Sequence, residues 1–105
     1  MQIQVNTDSN IEGDADLVRR VTDTLEKSLT RFGEQLTRVE VHLSDQNSDQ
    51  RSGARDKRCL IEARIAGLQP ISVSDEAAVV DQAVSGAADK LIRSLDRTLA
   101  RRRPR

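Results

Sequence analysis

Lys90, Arg93, Arg97 and Arg101 stand three, four and four residues apart near the end of the chain. At about 3.6 residues per turn, those steps stack them in one stripe along a helix. Ala83, Val84, Ala87, Ala88, Leu91, Leu95 and Leu99 form a second stripe, roughly a quarter to a third of a turn away. Asp81, Asp89 and Asp96 fall on the far flank of that apolar seam. A helix that needed only solubility could scatter its charges; this one sorts them. Cations in a row suit a polyanion, and arginine, which outnumbers lysine here, grips phosphate oxygens in pairs with its planar fork. RNA is the leading candidate partner. The stripe also fits a solvated face whose cations complement the negative end of the helix dipole, and spacing alone leaves both readings open. Arg20, Lys27 and Arg31 line up in a comparable stripe on an earlier helical stretch.

Other chemistry finds little footing. His42 is the only histidine and has no cysteine or histidine neighbour in sequence, which makes it a poor metal ligand or general base by spacing. No HExxH, GxSxG or glycine-rich phosphate loop occurs, and the five glycines are scattered singly. The expectation is a protein that is not an enzyme, with no catalytic residues, no metal site, no cofactor and no small-molecule substrate. The only cysteine, Cys59, has no partner for an internal disulfide, fits a reducing cytoplasm, and alternates with Ile61 and Ala63 like a small core residue. Phe32 is the sole aromatic, so stacking of bases on aromatic platforms is unavailable. Any nucleic-acid binding must work through phosphate charge and shape.

The formal net charge is zero, but it is unevenly spread. Residues 1–50 carry five Lys/Arg against ten Asp/Glu; residues 51–105 carry twelve against seven. The last twenty residues hold seven basic residues and two acidic ones. No apolar stretch approaches the ~20 residues that span a bilayer, and MQIQVNTDSN lacks the basic start and apolar run of a signal peptide. A cytoplasmic protein that makes no membrane contact and is a monomer when free is expected.

The elements that must position the cations are legible by period. Met1, Ile3 and Val5 alternate with polar residues, as in a half-buried strand. Asp14 or Asp16 can cap a helix in which Leu17, Val18, Val21, Leu25, Leu29 and Phe32 recur, with Gly33 as its stop. Val39, Val41 and Leu43 make a second strand, and Cys59, Ile61, Ala63 and Ile65 a third, broken near Ala66–Gly67. Ile71 and Val73 make a short fourth strand, with Pro70 suiting an edge. Ser74 or Asp75 then caps the final helix, which runs to about Arg103. The polar segment 45–56 reads as a mobile loop with almost nothing to bury. The order β-α-β-β-β-α predicts an α+β fold: one four-stranded mixed sheet, strand one parallel to strand two, and both helices packed on one face. Its outline is like that of a double-stranded-RNA-binding domain. The expected organisation is one domain over residues 1–103 and a short tail at 104–105. With both apolar stripes turned to the same sheet face, the two basic stripes are expected to converge on one surface.

That element order, with the closing DEAAVVDQAVSGAADKLIRSLDRTLARRR, resembles the ribosome hibernation-promoting factors. This family includes the ribosome-associated inhibitor and the sigma-factor modulation and ribosomal subunit interface proteins. The core of the resemblance is Asp89-Lys90-Leu91-Ile92-Arg93-Ser94-Leu95-Asp96-Arg97, and LVRRVTDTLEKSLTRF is similar to the family's first helix. The resemblance implies a short-form, bacterial, ribosome-associated translation inhibitor acting under stress or in stationary phase. It would bind the small ribosomal subunit through ribosomal RNA. Lys27, Lys90, Arg93, Arg97 and Arg101 carry over by position; Arg20 and Arg31 join them by helix geometry. The alternatives are a structured-RNA-binding module not tied to the ribosome and a charge-driven protein-interaction domain.

Overall fold

The computed structural model describes residues 1–45 and 56–102. The segment expected to be mobile lies almost wholly outside the described residues, as does the chain beyond 102. Four strands, β1 (Gln2–Thr7), β2 (Leu36–Asp45), β3 (Lys57–Ile65) and β4 (Ile71–Ala77), form one sheet in the order β1-β2-β3-β4. β1 pairs parallel with β2, and the remaining pairs are antiparallel, as the element order predicts. The helices are α1 (Ala15–Leu29), extended by a 3-10 turn at Thr30–Phe32, and α2 (Val80–Arg102).

The alternating residues sort as their period requires. Val39, Val41 and Leu43 on β2, and Cys59, Ile61, Ala63 and Ile65 on β3, point into the core. There they meet Leu17, Val21, Leu25 and Leu29 of α1 and Ala83, Val84, Ala87, Ala88, Leu91 and Leu95 of α2 in one buried cluster. Full burial of each such leucine is worth about 1.5–3 kcal/mol. α1 rests against β1, α2 covers β3 and β4, and the two helices touch along their length. Asp14 caps α1, accepting a hydrogen bond from the Leu17 amide at 2.8 Å. The β3–β4 turn passes through Gly67 at φ 76°, a left-handed conformation that glycine adopts without a Cβ clash.

One boundary corrects the sequence reading. Ser74 and Asp75 do not cap α2; they continue β4, opposite Leu60 and Cys59, and the strand runs to Ala77 before the helix starts at Val80. Four further residues of ladder pairing, 74–77, outweigh the capping tendency of Ser and Asp. Asp75 thereby lands on the helix-covered face, where its carboxylate lies against Gly86. A Cβ at position 86 would sit 1.7 Å from Asp75 Oδ2, so any larger residue there has to displace the Asp75 carboxylate.

Candidate nucleic-acid interface

The α2 stripe forms as the spacing predicts, with Lys90, Arg93, Arg97 and Arg101 all exposed. Lys90 is tied back to the sheet. Its ammonium donates to the Ser74 carbonyl at 2.8 Å and to Asp75 Oδ1 at 3.3 Å, which places this flank of α2 beside β4. Arg101 Nε reaches the Arg97 carbonyl at 3.4 Å, within the helix's own backbone. Among the described residues, the Arg93, Arg97 and Arg101 guanidiniums meet no carboxylate. Three fixed positive charges therefore stand along about two turns of helix with their phosphate-binding forks open.

The α1 stripe is arranged differently. Arg20 forms an ion pair with Asp16 on its own helix and a second, at 3.5 Å, with Asp81 of α2. Arg31 lies 4.3 Å over the Phe32 ring and grips Asp96 through two hydrogen bonds of 2.9 and 3.0 Å. This hydrogen bonding holds the Asp96 carboxyl below the usual carboxylate range. Lys27, between them in sequence, is exposed and has no hydrogen-bond or ion-pair partner among the described residues.

The two stripes thus do not adjoin. The cations of α1 face the acidic flank of α2, and the cations of α2 face the other way, towards β4. The reason is rotational. Arg20 pairs with Asp81 near the start of both helices and Arg31 with Asp96 further on, so the helices run parallel. In each helix the basic stripe lies roughly 120° to the same side of the apolar seam. When two such helices lie parallel on one sheet, the basic flank of the first meets the acidic flank of the second. The basic flank of the second is left outermost.

An open cleft of about 380 Å³ lies between the two helix N-termini, where Ile11, Leu17 and Val79 meet Arg20, Lys57 and Asp81. Both of its cations are already paired: Lys57 with Asp45 and Asp56, at 3.2 and 3.3 Å, and Arg20 as above. Cys59 is buried, and burial, helped by the Asp75 charge, pushes its thiol up to about 12, so no thiolate nucleophile is available there.

Residues 3–103 match the model of the sigma 54 modulation protein / S30EA ribosomal protein family, and the chain belongs to that family. The family is one of non-enzymatic, ribosome-associated factors, and this protein is of the ribosome-modulating, hibernation type. The fold is shared with solved structures. The N-terminal domain of Protein Y from Thermus thermophilus superposes with a TM-score of 0.73 at 22% identity, covering 93% of this chain and 99% of that one. A ribosomal subunit interface protein from Coxiella burnetii gives 0.71 at 17% identity, covering 95% and 99%. Comparison with curated protein sequences gives no match. In all the described residues, no helix is long and apolar enough to cross a membrane.

Proposed function

We propose that this protein binds the small ribosomal subunit through ribosomal RNA and holds ribosomes inactive under stress or in stationary phase, acting in the cytoplasm as a monomer when free. The observation that carries this reading is the row of unpaired arginines, Arg93, Arg97 and Arg101, on the outer flank of α2 in a member of a ribosome-associated family. Lys90 lies at the sheet end of the same flank and Lys27 contributes from α1. Arg20 and Arg31 enter the same interface at a disadvantage, because phosphate has to displace Asp81 and Asp96 from them. Binding by charge and shape needs no aromatic platform, which suits a chain with one phenylalanine. Each phosphate neutralised releases counterions, so affinity falls steeply with salt.

The test is co-sedimentation of the protein with purified small subunits and whole ribosomes over a salt series. Stoichiometric pelleting that weakens linearly on a logarithmic salt axis is expected. Equal affinity for any structured RNA would make the protein a general RNA-binding module, and failure to pellet with either would leave a charge-driven protein-interaction domain.

A further inference from the structure

The outer face of the sheet, opposite the helices, carries a cluster that sequence spacing conceals. Glu40 and His42 are two residues apart on β2 and share that face, and β3 brings Glu62 directly opposite Glu40. His42 Nε2 lies 3.1 Å from Glu62 Oε1 and 3.7 Å from Glu40 Oε2, and a donor atom from each residue falls within 4.8 Å of the others. We propose that Glu40, His42 and Glu62 form a Zn2+ site on this face.

Four observations support it. A tetrahedral zinc ion with nitrogen and oxygen ligands holds its donors about 3.4 Å apart, so the two histidine–carboxylate distances already suit one and the two carboxylates have to close by at most about 1.4 Å from the 4.8 Å within which all three donors lie. His42 Nε2 is shielded from solvent and faces the two carboxylates, with Glu62 Oε1 and Glu40 Oε2 as its polar neighbours among the described residues. Like charges placed directly opposite on neighbouring strands are destabilising, and Glu40 faces Glu62 in that way; a divalent cation relieves the repulsion and satisfies all three groups together. Arg38 Nε holds Glu40 Oε1 at 2.8 Å, which orients that carboxylate and leaves Oε2 turned towards the histidine, as an outer partner of a ligating carboxylate does. The Arg38 and Arg64 charges also bear on Glu40 and weaken its attraction for a cation, so moderate rather than tight binding follows. With three protein ligands, all half-exposed or more open, the fourth position stays accessible to water or to a group from a partner.

The site is on the opposite side of the sheet from α2, so its test is independent of ribosome binding. Untagged protein is titrated with zinc chloride by calorimetry in chelator-free buffer at neutral pH, with magnesium chloride as the control. One equivalent of zinc and no magnesium binding are expected. His42→Ala and Glu62→Gln should each weaken zinc binding by about tenfold or more, while Cys59→Ser should leave it unchanged. In the parent protein, zinc should shift the imidazole nitrogen resonances of His42, a readout that does not depend on how the variants fold. The proposal is overturned if zinc fails to bind at one equivalent, if His42→Ala binds it as the parent does, or if the His42 resonances respond to acid but not to zinc.

Discussion

The two helices carry nearly the same pattern, an apolar seam with base on one flank and acid on the other, yet their cations end in opposite circumstances. Arg20 and Arg31 of the first helical region are consumed by Asp81 and Asp96 of α2, whereas Arg93, Arg97 and Arg101 have no carboxylate to meet among the described residues. Identical local chemistry becomes a clasp in one place and an open surface in the other. What separates them is position in the layer, since α1 has a neighbour on its basic side and α2 has the β4 edge. The arrangement leaves the basic flank of α2 outermost in the helical layer, beside β4. A net charge of zero therefore conceals a molecule with a strongly basic side.

The sharpest way to break this comparison is charge reversal in each region. Arg93→Glu with Arg97→Glu should lower ribosome affinity by about tenfold or more and flatten its salt dependence, with stability changed by less than ~0.5 kcal/mol. Arg20→Glu with Arg31→Glu should do the converse, lowering the melting temperature because like charges then face Asp81 and Asp96, with a smaller loss of binding. Co-sedimentation and thermal unfolding of both double variants decide it. If the α1 pair costs as much affinity as the α2 pair at an unchanged melting temperature, the clasp is the wrong description of Arg20 and Arg31.

A smaller effect is expected from Gly86→Ala. Alanine is the better helix former by about 1 kcal/mol, but its Cβ must expel the Asp75 carboxylate that holds Lys90. A lower melting temperature is expected despite the gain in propensity, with Lys90 released from β4. A higher melting temperature would mean that Asp75 swings aside freely and does not fasten the stripe to the sheet.

The smallest effect concerns the clasp itself. Because Arg31 depresses the Asp96 carboxyl in the folded protein, the pair stabilises the fold above the ordinary carboxylate range, and that contribution is lost as pH falls through the depressed value. A carboxyl-carbon titration by NMR should find Asp96 protonating below its ordinary range, and Arg31→Ala should move it back up. An Asp96 titration indifferent to Arg31 would dissolve the comparison at its C-terminal end.

Residue period was enough to read both helices, all four strands, the buried role of Cys59 and the exposed stripe on α2, while the order of the elements supplied the strand directions. These follow from one-dimensional facts: a side chain's face depends only on its spacing within its own element. Three features depended on tertiary placement. Ser74 and Asp75 have the composition of a helix cap, but ladder pairing with β3 made them strand. The two basic stripes lie where their spacing puts them, but whether they would join depended on the helices running parallel with their cations on the same rotational side. Glu62 is twenty residues beyond His42 in the chain, too far for any ligand spacing to suggest, and the β2–β3 register alone sets it 3.1 Å from the imidazole. Sequence determines what each element presents; which faces then meet is decided only when the elements share one sheet, because contacts across it depend on direction and register that no single segment encodes.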